Sequence, residues 1–442
     1  MGAPLLSIDT PGDLPPEAEV VVIGGGIIGT CAAYYLAQRG VRVVLLEKGR
    51  IGAEQSSRNW GWCRQQNRDA RELPVATRSL DLWEAMAADI GADVGFRRCG
   101  LTYLSDDQAQ LDSWAEWRRF AIGQGVETHM LSGAELEARA AATGRRWQGG
   151  VWSPTDGTAD PSRACPVIAQ GVQKFGGTVV QMCAARGIET SAGRVSGVIT
   201  EKGVIRTAQV VMAGGAWASS FCRQLGISFP QASMRSSILS LAPGDAAPVP
   251  DALYTPEAAV TRRTNGGYTV AISGRGQMDP TFQTLRYGRH FLPMFFKRRK
   301  AVTPGGLQAL GWGHERRRRW ALDQPTPMER ARILDPRPSQ AIIDDTLRRV
   351  RKLLPALAER RLEAAWAGYI DSTPDGVPVI GEIPALPGFV LAAGFSGHGF
   401  GIGPGAGLMI ADLVTGRPGF VDMADYRLSR FASAAWGKVA EF

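Results

Sequence analysis

Residues 20–48 read as a buried strand, a glycine turn, a helix and a second buried strand ending on an acid, and few folds accommodate that order. Val20-Val21-Val22-Ile23 leads into Gly24-Gly25-Gly26-Ile27-Ile28-Gly29, a helical stretch follows to Arg39, and Val41-Arg42-Val43-Val44-Leu45-Leu46 ends on Glu47-Lys48. The three motif glycines do different things. Gly24 permits the tight turn, Gly26 lets the backbone approach a pyrophosphate, and Gly29 lets the helix pack on the strand. Ile27 and Ile28 open the helix, whose free N–H groups and positive dipole end face phosphates. Glu47 stands 18 residues beyond Gly29, close to the spacing at which a carboxylate accepts ribose hydroxyls, with Lys48 beside it. A lone glycine motif is weak evidence in a chain with 54 glycines, but the complete strand–turn–helix–strand–acid context predicts a dinucleotide site.

The chain has 442 residues, 44% hydrophobic and 21% charged, which are globular values and predict two domains. No apolar run reaches the ~18–20 residues of a membrane span. Residues 1–19 are Pro-rich and acidic and lack the pattern of a secretory signal, so the expected location is cytoplasmic. Cys31, Cys63, Cys99, Cys165, Cys183 and Cys222 form no CxxC pair, and the four histidines are scattered. Neither a metal site nor a disulfide framework is expected, and Cys63 reads as a small buried residue. The net charge is +8, with basic runs at 297–300 and 316–319. No nucleic-acid recognition motif accompanies them, so no nucleic-acid partner is expected. They read as a solvated face. Alternatively, with Phe291-Leu292-Pro293-Met294-Phe295-Phe296 just before the first run, they suit peripheral contact with the inner face of an anionic membrane.

Downstream, residues 178–181, 194–200 and 203–207 resemble short strands of a meander. Residues 208–217 form a buried strand closing on Ala213-Gly214-Gly215, with Trp217 just beyond. Residues 389–394 read as another buried strand, followed by a glycine turn over 395–403 and an amphipathic helix to about 414. The expected fold class is α/β plus α+β: a Rossmann-like dinucleotide domain assembled from three segments (1–90, 158–230 and 360–442), plus an antiparallel-sheet substrate domain (91–157 and 231–359). In the second domain, strands are expected at 96–104, 233–241 and 267–273 and a helix at 108–123. A lid or membrane-docking insertion is expected at 290–335, where Pro and Gly disfavour long regular elements.

The fingerprint with Glu47, Val211-Met212-Ala213-Gly214-Gly215, Thr373-Pro374-Asp375-Gly376-Val377-Pro378-Val379-Ile380-Gly381 and the glycines of 394–403 occur in one order. Together they resemble the FAD-dependent amine and amino-acid oxidoreductases, the superfamily of D-amino-acid oxidase, glycine oxidase and sarcosine oxidase. Glu54-Gln55-Ser56-Ser57-Arg58 resembles the corresponding stretch of bacterial L-amino-acid deaminases. The resemblance implies FAD in the Rossmann-like domain, with Ser56, Ser57 and Arg58 as donors suited to phosphate oxygens. Ala184, Ala213, Gly214 and Trp217 would lie along the cofactor, and Gly397, Gly399, Gly401 and Ile402 around the flavin. It also implies oxidation of a C–N bond, with hydride to flavin N5, hydrolysis of the imine to a keto acid and ammonia, and O2 or a quinone as acceptor. Departures from the family are informative. Ile370 stands where glycine oxidases carry a carboxylate-binding Arg, Gly401 where sarcosine oxidases carry Lys, and Ala367 near their flavin-linking Cys; residues 48–66 contain no His. Non-covalent FAD and a substrate other than glycine or sarcosine are expected.

An α-amino acid needs a cation for its carboxylate. Arg64 and Arg275 are the candidates, Tyr369 adds a hydroxyl, and Trp60, Trp62 and Trp312 can wall an apolar pocket. His398 is either a group at the flavin or a packing residue of the glycine turn. The expected substrate is an L-amino acid with an apolar side chain; a D-amino acid or N-alkyl amino acid is the alternative. An aromatic hydroxylase would need a Gly-Asp pair where this chain has Ala393-Gly394-Phe395, and a disulfide reductase would need a redox CxxxxC pair. A non-catalytic flavin-binding or membrane-interaction module would be yellow but unreduced by any amine.

Overall fold

The computed structural model describes residues 2–299, 302–306 and 319–431; Trp312 and the basic residues 316–318 lie outside them. Val20–Ile23 pairs in parallel with Val43–Leu46 on one side and Gln209–Met212 on the other. Thr178–Val180 extends the sheet beyond Val43–Leu46, and Phe389–Ala393 extends it beyond Gln209–Met212, both in parallel. Val379–Glu382 closes that edge antiparallel. Both faces of this six-stranded sheet are covered, which is why its strands read as unbroken apolar runs. Val20, Val22 and Leu45 face a core shared with helices Ile27–Gln38, Leu73–Ile90, Ala164–Lys174 and Gly399–Thr415. Val21, Ile23 and Val44 face the meander of Ala185–Ser191, Arg194–Thr200 and Gly203–Arg206.

The glycines of Gly399–Thr415 let that helix press its backbone against its neighbour: a Cβ on Gly407 would lie 2.4 Å from Cβ of Cys31. All six cysteines are free thiols, and Cys63 is fully buried.

A second sheet of ten strands centres on Ala232–Leu241, which pairs antiparallel with Leu362–Ser372 and Tyr268–Ala271. It is not wholly antiparallel as expected. Ala252–Tyr254 runs parallel to Leu101–Ser105, and Gly276–Met278 parallel to Val302–Pro304. The expected strand at 96–104 begins only at Leu101. Residues 96–100 are held instead by an isolated bridge between Arg97 and Thr158.

The stretch before the first basic run also departs from expectation, because it forms a 17-residue helix, Phe282–Arg298, with Pro293 inside it. Thr281 caps its N-terminus by accepting from Thr284 N at 3.1 Å. Pro293 lacks the N–H that would bond the carbonyl of Arg289, but Arg289 lies on the exposed side, where water can take that place. Tyr287 and Phe291 pack on Ala232, while Phe282, Leu285, Leu292 and Phe296 are exposed. No helix among the described residues is long and apolar enough to cross a membrane.

Candidate functional site

A cavity of about 620 Å³ opens at the carboxyl ends of Val20–Ile23 and Val43–Leu46, the edge at which open parallel sheets bind ligands. Gly24, Gly26, Ile27 and Ile28 form one wall, and Glu47 and Lys48 the next. Gly24 has φ +113°, and a Cβ there would lie 2.4 Å from the carbonyl oxygen of Ala213. Gly29 is set back from the cavity, where a Cβ would strike the carbonyl of Gly24 at 1.9 Å. Gly26 differs from both: its Cβ would meet only Ser56 Oγ, at 3.2 Å. Glu47 accepts from Gly25 N and Gly49 N, each at 2.7 Å, with one carboxylate oxygen apiece. Burial pushes its carboxyl up, opposed by the charge of Lys48 and by these two N–H groups.

Residues 54–58 behave mainly as a clamp. Glu54 accepts from Lys48 Nζ at 2.6 Å, from Trp217 Nε1 at 3.1 Å and from Leu334 N at 3.0 Å. Lys48 also donates to the carbonyls of Ala331 and Arg332 and lies over the Trp217 ring. Its charge is thus held by the protein, although the side chain borders the cavity. Ser56 Oγ accepts the first N–H of the fingerprint helix, from Ile27, at 2.9 Å, so it sits where the dipole end meets the cavity. Ser57 does not reach the cavity and donates to the carbonyl of Glu54.

Arg58, expected as a phosphate donor, lines the cavity, but its Nε and Nη1 are committed to the protein. Its Nη1 donates to Asp335 Oδ1 at 2.5 Å and to the carbonyl of Ala367 at 2.8 Å, and its Nε donates to that of Ala53 at 3.1 Å. The guanidinium ties the loop after Val43–Leu46 to the strand Leu362–Ser372.

Ala213, Gly214 and Trp217 line the cavity, as do Gly397, His398 and Gly399. Ala184 does not; its N–H is bound by Glu201 at 2.6 Å, while its neighbours Cys183 and Ala185 reach the lining. Gly401 and Ile402 also lie off the cavity, because the last helix begins at Gly399, earlier than expected. The carbonyl of Gly401 accepts from Trp83 Nε1, and a Cβ there would lie 2.7 Å from the carbonyl of Trp62.

Asp371 anchors the neighbouring loop by accepting from Gly394 N at 2.8 Å and Gln231 Nε2 at 3.0 Å. Burial pushes its carboxyl up to about 6. His398 packs its Nδ1 against Glu72 Oε2 at 2.8 Å.

On the remaining wall, Tyr369, Trp60, Trp62, Arg64 and Arg275 all reach the cavity. The two arginines differ. Arg275 is 43% exposed and paired with Asp345 at 2.7 Å, which also holds Arg348 and Arg349. Arg64 is partly buried and donates to the carbonyl of Gln66. Sequence reasoning missed Arg68, Tyr103, Trp114 and Tyr254, which line the same cavity, and also Phe291 and Met294 from the helix Phe282–Arg298. The aromatic members form one cluster: Tyr103 contacts Trp62, Trp114 and Tyr254 at centroid distances of 5.9, 5.8 and 5.3 Å. No spacing rule joins residues 62, 103, 114 and 254; the signal exists only once the second sheet is assembled.

A single cavity that passes Glu47, the open glycine face at Gly26 and the turn at Gly397 suits an extended dinucleotide, and its further aromatic and basic wall leaves room for a second small molecule. Such a cradle at the strand ends of a Rossmann-like sheet, covered by a second sheet, defines a dinucleotide-dependent oxidoreductase. The chain belongs to the DAO family of FAD dependent oxidoreductases, which it matches over residues 19–413. Human mitochondrial sarcosine dehydrogenase is 28% identical over 95% of the chain, which spans only 42% of that protein. Glycine oxidase of Geobacillus kaustophilus is 27% identical over 93% of the chain and 97% of its own length. Among solved structures, the L-amino acid deaminase of Proteus myxofaciens in complex with anthranilate superposes with a TM-score of 0.91. It is 29% identical, and the match covers 97% of each chain.

Proposed function

We propose that the protein oxidises the C–N bond of a free amino acid, giving an imine that water hydrolyses to a keto acid and ammonia. An L-amino acid with an apolar side chain is the favoured substrate. The observation that carries this reading is the wall where guanidinium groups adjoin the cluster of Trp62, Tyr103, Trp114 and Tyr254. It offers a charge for a carboxylate beside an apolar surface for a side chain. The likeness to the Proteus deaminase supports the L configuration, while the glycine oxidase and sarcosine dehydrogenase relatives keep D- and N-alkyl amino acids as the second reading.

Bound FAD supplies the acceptor for the two electrons. Gly26 and the Ile27 end of the helix would hold its pyrophosphate, Glu47 its ribose, and Gly397 and Gly399 the flavin. Ala367 offers no nucleophile for a covalent link, so acid precipitation should release the yellow chromophore into the supernatant. A substrate domain of 91–157 and 231–359 is supported by the second sheet, except that Leu362–Ser372, expected in the FAD-binding domain, pairs with Ala232–Leu241 and so extends the substrate domain to about residue 372.

The helix Phe282–Arg298 contributes Phe291, Met294 and Phe295 to the cavity wall. Its exposed residues Phe282, Leu285, Arg289, Leu292 and Phe296 recur at three- and four-residue intervals, which makes one apolar–basic stripe. A helix of this kind suits docking on an anionic membrane surface, with the cavity beside it and a lipid-dissolved quinone as acceptor.

Anaerobic mixing of the purified flavoprotein with L- and D-amino acids, N-alkyl amino acids and simple amines tests the reaction. Bleaching by apolar L-amino acids is the expected result. Bleaching by simple amines alone would overturn the carboxylate-dependent reading.

A further inference from the structure

Glu47 gives one carboxylate oxygen to Gly25 N and the other to Gly49 N, at 2.7 Å each. A carboxylate has about four acceptor sites, so it keeps capacity for a neighbouring pair of hydroxyls. Where that capacity points depends on the Lys48–Gly49 peptide, whose N–H is one of the two donors. The carbonyls on either side of this peptide are fixed by backbone bonds: that of Glu47 accepts from Cys183 N at 2.9 Å, that of Gly49 from Met182 N at 3.1 Å. The carbonyl of Lys48 between them accepts instead from a side chain far along the sequence, Arg332 Nη1, at 2.9 Å.

Arg332 is gripped on its other side by Glu201. Its Nη2 donates to Glu201 Oε2 at 2.5 Å and its Nη1 to Oε1, and Glu201 is itself anchored by accepting from Ala184 N at 2.6 Å. The contact with residue 48 is reciprocal, since Lys48 Nζ donates to the carbonyls of Ala331 and Arg332 at 3.0 and 2.8 Å. Glycine at 49 admits the close approach: a Cβ there would lie 2.4 Å from the carbonyl oxygen of Arg332. A charged donor on the carbonyl side of an amide polarises it and strengthens the bond made by its N–H.

We propose that Arg332 is a positioning residue for the cofactor. Fixed by Glu201, it sets and polarises the Lys48–Gly49 peptide, and that peptide aims Glu47 at the ribose hydroxyls in the adenosine half of FAD. The inference rests on the reading that Glu47 takes this ribose, and it names the group that orients Glu47 for the task. Arg332 lies outside the cavity lining, whereas Glu47 and Lys48 belong to it, so Arg332 acts through Glu47 and not by touching the nucleotide.

The test compares equilibrium binding of FAD with that of an analogue whose adenosine lacks both ribose hydroxyls, each added to the apo-protein and read from the visible flavin spectrum. Wild type should bind FAD about tenfold more tightly, as for a hydrogen bond to a charged group. In Arg332→Gln and Arg332→Lys the two Kd values should become nearly equal, chiefly because FAD binds more weakly. Lysine keeps the charge beside Glu201 but cannot fork between it and the Lys48 carbonyl, so Arg332→Lys decides the matter even where Arg332→Gln fails to fold. General loosening of the site would weaken both ligands alike and preserve their ratio, and that result would overturn the proposal. A ratio lost in Glu47→Ala but kept in both Arg332 variants would overturn it too, while leaving the ribose at Glu47. A wild type that binds both ligands equally would overturn the placement of the ribose, and the proposal with it.

Discussion

Nδ1 of His398 lies 2.8 Å from Oε2 of Glu72, a carboxylate with no exposed surface. Burial lowers the imidazole pKa and the charges of Arg68 and Arg64 add to that, while Glu72 opposes it. Burial alone would raise Glu72, but His398 and Arg68 hold it low. For a histidine lowered on folding, stability is full above the ordinary value near 6.5 and drains as pH falls through it, because the unfolded chain takes up the proton first. The depressed Glu72 adds a second loss further into acid. The melting temperature should therefore fall between about pH 7.5 and about pH 5.5. His398→Gln should flatten that fall, with His290, also lowered by burial, keeping part of the slope. An unaltered slope in the variant would assign the titration to other groups.

Gly24 and Gly26 should separate folding from cofactor retention. Gly24→Ala places a Cβ 2.4 Å from a backbone oxygen at positive φ, and strain of this kind costs about 1–3 kcal/mol or more. Gly26→Ala meets only the Ser56 hydroxyl, so its apo-protein should melt within about 1 kcal/mol of wild type while releasing FAD more readily on dialysis. Equal FAD retention in Gly26→Ala and wild type would show that the pyrophosphate lies elsewhere.

Arg58→Ala should destabilise the protein by about 2–4 kcal/mol, measured by denaturant unfolding. Most of this comes from the carbonyls of Ala53 and Ala367, which lose a buried charged donor. The pair with Asp335 matters less because that carboxylate is 59% exposed, and such pairs contribute about 0–1 kcal/mol. Asp335→Asn should accordingly be nearly silent; a loss equal to that of Arg58→Ala would reverse the assignment.

Leu285→Glu and Phe296→Glu place charge on the exposed stripe of Phe282–Arg298 without touching its inner face. Both should abolish flotation with vesicles containing anionic phosphatidylglycerol while leaving the melting temperature unchanged. Flotation at wild-type levels in both variants would exclude this helix as the docking surface.

The fingerprint, the returning strand Phe389–Ala393 and the final helix were legible because each is a local pattern: an apolar run or helical period bounded by glycines. Arg58 was read from the sequence as a phosphate donor, but its partners, Asp335 and the carbonyl of Ala367, are set by contacts distant in the chain. Arg68 was hidden among 50 basic residues, since its burial depends on Asp156 and Trp117, far along the chain. Pro293 read as a breaker. Its helix survives because the carbonyl it deprives faces solvent and the opposite face packs on Ala232 and the cavity.

The order of the strands in the six-stranded sheet also governs when the protein can acquire its shape. Val22 is paired with Val211, and Val211 with Val390. Val20–Ile23 therefore holds one edge open until Gln209–Met212 is made, some 190 residues later, and that strand waits in turn some 180 residues for Phe389–Ala393. Non-local pairing of this kind folds slowly and exposes sticky intermediates. During synthesis, the fingerprint is thus an exposed apolar edge long before it is a cradle for a nucleotide.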